Sequence, residues 1–237
     1  QRELGMEGKP VIDIREQCSG FVYALSIADQ FIKTGMYKSA LIVGSEIQST
    51  WINKSTEGRG VAVIFGDGAG AAVLQASQDP EHRILSTHLH ADGRYAEELY
   101  LKDPGSSRPD KAVSKEMFET GGFNVHMNGN AVFKHAIVRF GEVINQALEA
   151  NDYTPEDIDL LVPHQANVRI CDYVRQQLGL SEEQVMVNIQ KYGNTTAASI
   201  PIALSEAWEQ GRIKEGDLVC LAAFGSGFTW ASALIRW

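Results

Sequence analysis

Cysteine is scarce in this 237-residue chain: Cys18, Cys171 and Cys220 are its only three, and they lie far apart in the sequence. An odd, widely spaced set does not match the paired framework that cross-links small secreted proteins. The sequence therefore argues against a disulfide-rich extracellular protein, and we expect a reducing, cytoplasmic setting.

Long apolar runs and an excess of positive charge are also missing. No segment approaches the roughly 18 apolar residues that a membrane span needs. The chain has 21 basic and 30 acidic residues, and this net charge of −9 disfavours a nucleic-acid-binding surface. Because 44% of the residues are apolar, one large α/β unit or two smaller ones can form a core. Residue 1 is Gln rather than Met, and we expect an upstream segment to have been removed.

Short apolar runs alternate with amphipathic segments, which predicts an α/β protein with a mainly parallel sheet covered by helices. The predicted strands are Pro10–Ile14, Ala40–Gly44, Gly60–Phe65, Ala71–Leu74, Ile84–His90, Ile158–Val162, Val185–Ile189, Leu218–Ala223 and Thr229–Arg236. The predicted helices are Ser19–Thr34, Asn130–Ala150, Ala166–Leu178 and Ala197–Glu209. Residues 103–110, rich in Pro, Gly, Ser and Asp, are predicted to form a loop.

Two glycine-rich segments look alike. The turn Gly66–Gly70 lies between two predicted strands and favours a hairpin. Ile64–Gly68 resembles Ala223–Gly227, and an apolar strand follows each of them. The likeness has two interpretations: chance similarity of two turns, or a duplicated α/β half with an active site where the halves meet.

Cys18 is the cysteine most suited to chemistry, because it lies between a predicted buried strand and the start of a predicted helix. The unpaired N–H groups and the dipole of a helix N-terminus lower a thiol pKa and favour an exposed, reactive thiolate. A cysteine in apolar surroundings can equally be inert core. That interpretation suits Cys171, inside a helix, and Cys220, inside a strand, better than Cys18.

His164 and Asn194 are candidate partners of Cys18, since each follows a predicted strand and precedes a predicted helix. Ligands of open α/β sheets gather outside the carboxyl ends of strands. A lone Asn in such a place is more often a helix cap or turn former. His88 and His90 share a strand face, but no further metal ligands can be identified beside them.

The segment Gln17-Cys18-Ser19-Gly20-Phe21 resembles the nucleophile segment of the 3-oxoacyl-[acyl-carrier-protein] synthase III family. Five further segments resemble motifs of that family in the same order, namely residues 66–71, 88–93, 163–167, 193–195 and 223–230. Six motifs in order are far more specific than any one of them, and the resemblance extends from Pro10 to Trp237.

The resemblance implies a fold and a reaction. The fold is α/β and thiolase-like, with two similar halves in a five-layer α-β-α-β-α sandwich, an incomplete N-terminal half, and a homodimeric assembly. Residues 1–95 would be the rest of the N-terminal half, 96–129 connecting and pocket loops, and 130–237 the C-terminal half. The reaction is decarboxylative condensation of an acyl-coenzyme A (acyl-CoA) primer with malonyl-acyl carrier protein, with no cofactor and no metal.

The resemblance also implies roles for single residues. The catalytic set would be Cys18, His164 and Asn194, and the backbone N–H groups of Cys18 and Ser226 would form the oxyanion hole. The remaining implied positions are Arg59, Gly129 and Asn167 for CoA binding, and Arg169 for docking of the acyl carrier protein.

Three departures from the family pattern stand out. The nucleophile usually lies more than a hundred residues into such enzymes, whereas here it is residue 18. Ser226 stands where the family usually has glycine, and Gln176 and Gln177 stand where more basic residues would favour carrier docking. One alternative is therefore an inactive or partner-dependent fragment of such an enzyme. Another is a cysteine hydrolase, because papain-like proteases also place Cys, His and Asn in this order, although no Cys-Gly-Ser-Cys segment is present.

Overall fold

The fold is taken from a computed structural model that describes residues 1–79, 81–105 and 113–237. Its helices are α1 (Gly20–Lys33), α2 (Arg59–Ala62), α3 (Lys115–Glu119), α4 (Gly129–Glu149), α5 (Val168–Gln177), α6 (Ile189–Tyr192) and α7 (Ser199–Glu209). Its strands are β1 (Ser39–Glu46), β2 (Gly68–Gln75), β3 (Arg83–Ala91), β4 (Leu99–Leu101), β5 (Val125–Met127), β6 (Leu160–Pro163), β7 (Leu218–Gly225) and β8 (Thr229–Arg236). Of the predicted loop at 103–110, residues 106–110 lie outside the described part.

The four predicted helices are confirmed as α1, α4, α5 and α7, with ends within a few residues of the expected ones. Local chemistry sets several of these ends. Asn128 caps α4 by accepting the N–H of Ala131, and Asn167 caps α5 by accepting the N–H of Arg169. Gly35, in the left-handed region at φ 74°, follows α1 as the sequence predicts.

A four-stranded sheet in the order β3-β8-β7-β6 is the centre of the fold. β6 and β7 are parallel, while β8 is antiparallel to both of its neighbours. Three strands therefore run one way, but only one of the three pairings is parallel. The expectation of a mainly parallel sheet is right about strand direction and wrong about the pairing, because the tight turn between β7 and β8 forces an antiparallel neighbour.

Helices cover both faces of this sheet. One buried cluster joins Phe21 of α1 and Ala203 of α7 to Leu221 of β7 and Ile42 of β1, so these helices lie between the central sheet and the β1–β2 pair. A second cluster packs α4 and α5 on the opposite face, with Phe140 fully buried there. The described residues thus form four layers in the order β-α-β-α.

The β1–β2 pair is antiparallel and has two unlike faces. One face packs on the helices through Ile42, whereas Val43 (56% exposed) and Val73 (65% exposed) on the other face are open to solvent. The outer helical layer of the expected five-layer sandwich is not supplied by the described residues.

Three strand predictions are wrong. Pro10–Ile14 forms no ladder, and Val11 is 72% exposed because no described strand lies beside it. Gly60–Phe65 instead overlaps α2, so the predicted hairpin at Gly66–Gly70 does not form and β2 pairs with β1. Val185–Ile189 contributes one isolated bridge, from Val185 to Leu161, because the N–H of Asn188 bonds to the side chain of Gln165 instead.

The predicted domain limits stay a prediction, although β3 lies before residue 96 and joins the sheet built by residues 160–236. Among the helices of the described ranges, none is both long and apolar enough to pass through a membrane.

Candidate active site

Cys18 lies on a sharp turn at the entrance to α1. The 3-10 turn Gln17–Ser19 precedes the helix, and Gln17 takes the left-handed conformation at φ 44°. A non-glycine residue in that region is uncommon, and such backbone strain is concentrated at functional sites. The turn sets the thiol at the start of α1, as the sequence predicts, although no strand precedes it.

The thiol packs closely against the end of β7. A Cβ atom added at Gly225 would lie 2.4 Å from Cys18 Cβ and 2.7 Å from Sγ, so only glycine fits there. The backbone N–H of Ser226 lies beside the thiol and favours its anion. Ser226 itself is held by its hydroxyl, which donates to the carbonyl of Leu99 at 2.5 Å. The serine therefore keeps the backbone donor that the family places on a glycine.

The expectation of an exposed thiolate with a lowered pKa is wrong for this structure. Cys18 is only 4% exposed. Burial raises the pKa of its thiol to about 12, the Ser226 N–H opposes this shift, and the nearby Glu46 carboxylate adds to it. Desolvation of the anion outweighs the helix N-terminus, so the thiol is neutral at pH 7.

His164 follows β6 directly and is completely buried. Its backbone N–H donates to the carbonyl of Ala222 on β7, and its Nδ1 lies 2.6 Å from Ser199 Oγ. Nε2 has no hydrogen-bond partner among the described residues. Burial lowers the pKa of the ring to about 3, and the backbone of Thr196 opposes this shift more weakly. The imidazole is therefore neutral at pH 7, with one nitrogen available to a bound molecule.

Asn194 is 5% exposed and is fixed by its backbone and its side chain. Its N–H donates to the carbonyl of Ile64, and its carbonyl accepts the N–H of Gly66. Its Oδ1 accepts the N–H of Thr196 at 2.8 Å, which leaves the Nδ2 amide as the group that can donate outward.

The structure brings these three segments to one end of the central sheet. Cys18 packs on Gly225 at the end of β7, and His164 follows the neighbouring strand β6. Residues 194–199 complete the cluster, since Thr196 interacts with both Asn194 and His164. The arrangement combines a buried thiol, a neutral histidine and a fixed amide with a backbone N–H beside the sulfur.

Comparison with known proteins decides the family. Residues 12–93 match the model of 3-oxoacyl-[acyl-carrier-protein] synthase III, and residues 148–237 match the model of its C-terminal part. The beta-ketoacyl-[acyl-carrier-protein] synthase III of Salmonella typhi is 48% identical over 236 residues, which cover 100% of this chain and 70% of the relative. The chain belongs to the 3-oxoacyl-[acyl-carrier-protein] synthase III family. This is a family of acyl-transferring condensing enzymes, so the hydrolase alternative is not supported.

Solved structures of the synthase III family show the thiolase-like fold. The enzyme from Aquifex aeolicus VF5 matches with a TM-score of 0.89 at 41% identity, covering 100% of this chain and 70% of its own. The priming beta-ketosynthase of the R1128 polyketide pathway matches with a TM-score of 0.85 at 31% identity, covering 99% of this chain and 68% of its own.

Two of the residues expected to bind CoA in a synthase III lie beside one cavity. The cavity measures about 520 Å³ and is lined by residues from 52–61 on one side and from 124–129 on the other. Gly129 lines it directly, and Arg59 stands between two lining residues, Gly58 and Gly60. The cavity wall connects to Cys18, because β5 pairs with β4 and the Leu99 carbonyl of β4 holds Ser226.

The other two predicted contacts lie on the helix after His164. Asn167 is exposed, and its Oδ1 caps α5. Arg169 is exposed in the first turn of that helix. No distance in the structure links either residue to the cavity, so their roles stay predictions.

Three residues near the site carry little signal in the sequence, where the stretch after Asn194 predicts an ordinary helix start. Thr196 is held at φ 45°, Ser199 contacts His164, and Glu46 is half-buried beside Thr196. Burial raises the pKa of the Glu46 carboxyl, against hydrogen bonds from Thr196 and Ala197. A small polar residue at a helix start, such as Thr196 or Ser199, predicts a helix cap, so the sequence gives little indication that it belongs to the site.

Proposed function

We propose that this chain carries out the condensation that defines its family: an acyl group from acyl-CoA is loaded on Cys18 and then joined to malonyl-acyl carrier protein with loss of carbon dioxide. The products would be 3-oxoacyl-[acyl-carrier-protein], CoA and carbon dioxide, which initiates a fatty acid or related chain. One observation supports this most. At the same end of the sheet lie a buried thiol, Cys18, beside the Ser226 N–H, and a buried histidine, His164, whose Nε2 has no hydrogen-bond partner among the described residues.

Acyl loading would use Cys18 and the donors around it. The sulfur attacks the thioester carbonyl, a new S–C bond forms, the bond to the CoA sulfur breaks, and the Cys18 proton ends on the CoA thiol. The N–H groups of Cys18 and Ser226 stabilise the oxyanion of the tetrahedral intermediate. Because the Ser226 N–H already faces the sulfur, this donor lies close to the carbon that is attacked.

Decarboxylation would use His164 and Asn194. Loss of carbon dioxide leaves an electron pair that becomes an enolate on the malonyl thioester, and its oxygen needs hydrogen-bond donors. A neutral imidazole can donate from Nε2, and the amide of Asn194 can donate from Nδ2. The carbanion then attacks the acyl-Cys18 carbonyl and forms the new C–C bond. The bond to the Cys18 sulfur breaks, and the sulfur leaves as a thiolate that takes a proton from water.

The cavity beside Arg59 and Gly129 suits the arm of a CoA thioester. Asn167, which caps α5, would lie near the CoA entrance, and Arg169, in the first turn of α5, would contact the carrier protein. No metal or cofactor takes part in these steps. We also propose a homodimer in the cytoplasm, which solution mass and cell fractionation can check.

Mass spectrometry of the acylated protein tests the assignment of Cys18. The protein is incubated with acetyl-CoA and digested, and we expect the added mass on the peptide that contains Cys18. Cys171 and Cys220 are matched internal controls, because both are buried free thiols whose pKa burial also raises to about 12. The acidity of the thiol therefore does not distinguish Cys18 from the other two cysteines. Selective acylation of Cys18 would be due to the hydrogen-bond donors of its site.

Label on Cys171 or Cys220 would contradict the proposal. If Cys18 is labelled, malonyl-acyl carrier protein is added and the 3-oxoacyl product is measured for a series of acyl-CoA donors. The series shows which primer the pocket accepts. Loading without condensation for every donor would remove the second half of the proposed reaction.

A further inference from the structure

Ser199 is the first residue of α7, and its hydroxyl is buried against His164. Its Oγ lies 2.6 Å from Nδ1 of the imidazole. The same oxygen accepts the backbone N–H of Gln165 at 3.3 Å. These contacts bear on which nitrogen of the neutral ring carries the proton.

A serine hydroxyl offers one donor and two acceptor positions. The Gln165 N–H can only donate, so it occupies an acceptor position of Ser199 Oγ. If Nδ1 carried the proton, it would take the second acceptor position, and the Ser199 proton would be left without a partner among the described contacts. If the Ser199 hydroxyl donates to Nδ1, every group in the contact is paired. A buried unpaired hydroxyl is unfavourable, so the second arrangement is preferred.

We propose that Ser199 is a positioning residue that holds His164 in the tautomer with its proton on Nε2. This inference rests on the proposed function, in which Nε2 donates to the enolate oxygen. The opposite tautomer would present a lone pair to that oxygen and repel it. Nε2 is buried and has no hydrogen-bond partner among the described residues, so it is the ring nitrogen that can donate to a substrate.

The backbone of Thr196 is the competing group at this ring, since it favours the protonated imidazole. Among the described residues the hydrogen-bond partner of Nδ1 is Ser199, and Nε2 has none. The Ser199 hydroxyl is therefore the group whose position at Nδ1 favours the tautomer with the proton on Nε2.

Nuclear magnetic resonance of the protein labelled with ¹⁵N-histidine tests the tautomer directly. Long-range ¹H–¹⁵N correlation spectra distinguish the two neutral forms, and His164→Gln assigns the signal. We expect the wild type at pH 7.5 to carry the proton on Nε2. A proton on Nδ1 would overturn the proposal, whether or not the protein condenses substrates. Failure of condensation with an Nε2 proton would instead refute the proposed function.

Two variants then test the role of the hydroxyl. In Ser199→Ala we expect a mixture of tautomers, normal acylation of Cys18 and condensation reduced by about 10–100-fold, the range for groups that orient a functional histidine. Ser199→Thr, which keeps a hydroxyl, should restore condensation.

The matched control is Ser232→Ala, which removes another fully buried hydroxyl, one that donates to the Val143 carbonyl of α4 and not to His164. It should leave the tautomer and condensation unchanged. Full condensation and an unchanged spectrum in Ser199→Ala would overturn the proposal. If Ser199→Ala does not fold, the wild-type spectrum and Ser199→Thr still decide it.

Discussion

His164 should make this protein less stable as the pH falls from 7.5 to 5.0. Its ring is fully buried, and burial lowers its pKa from 6.5 to about 3. In the unfolded chain the ring is hydrated and has its ordinary pKa. Between these two values the unfolded chain binds a proton that the native protein does not, so each step toward acid favours unfolding.

The expected size follows from the pH interval. One pH unit corresponds to about 1.4 kcal/mol for one proton, so at pH 5.0 His164 should lower the free energy of unfolding by about 2 kcal/mol. That is a large part of the roughly 5–15 kcal/mol that stabilises a typical domain. Carboxylates with lowered pKa, such as Asp92 at about 2, act mainly below this interval. The partly buried His88 adds an effect of the same sign.

Urea unfolding at both pH values, for the wild type and His164→Gln, isolates this effect, because Gln does not titrate and His88 is present in both proteins. The wild type should lose about 2 kcal/mol more than the variant. His126→Gln, at an exposed position, is the control and should follow the wild type. Parallel losses in the wild type and His164→Gln would refute the reasoning, since the native ring would then accept its proton freely.

Three other substitutions have definite expected outcomes. Asn194→Ala should still be acylated on Cys18 but lose condensation by about 10² or more, measured by mass spectrometry and product assay; an equal loss of both steps would contradict the assigned role. Gly225→Ala would force a Cβ to within 2.4 Å of Cys18 Cβ, so it should lower stability by about 1–3 kcal/mol and block acylation; an acylated, stable variant would speak against this packing. Ser226→Gly keeps the backbone N–H but loses the bond to Leu99, so it should remain competent for acylation at a stability loss of about 1 kcal/mol; loss of acylation would mean that the hydroxyl itself takes part.

Elements with a clear period or local punctuation could be predicted from the sequence. The helix that begins near Ser19 and ends before Gly35 is an example, since its apolar spacing and its stop signal agree. The all-apolar run of β7 is another, because a strand buried on both faces needs no polar alternation.

Apolar runs that lack such support do not all form the strands that their composition predicts. Val61 to Phe65 has the composition of a strand, yet it contains the end of α2, and the Ile64 carbonyl bonds to the N–H of Asn194. Whether a short apolar run becomes a strand depends on a neighbouring strand, which local sequence does not reveal. Val11 is a second example, because its apolar run also predicts a strand but no described strand lies beside it and its side chain is exposed.

The convergence of Cys18, His164 and Asn194 was predicted through ordered motifs, since their separation in sequence gives no distance. The residues that orient them were not. Ser199 and Thr196 act through single hydrogen bonds whose geometry exists only after α7 packs against β6. A serine or threonine at a helix start carries the same sequence signal whether it caps the helix or holds a histidine.

Burial changes the chemistry that the sequence suggests for this site. A helix N-terminus favours a thiolate, but complete desolvation of Cys18 raises its pKa, and the same desolvation keeps His164 neutral. With both titrating groups uncharged, the negative charge of the proposed reaction must develop on the substrate. The groups that can stabilise it are donors that do not titrate, namely the Ser226 N–H and the Asn194 amide, together with an imidazole N–H whose position Ser199 would fix. The low dielectric that suppresses the thiolate also strengthens these hydrogen bonds, so the same burial would favour the steps in which charge develops on the substrate.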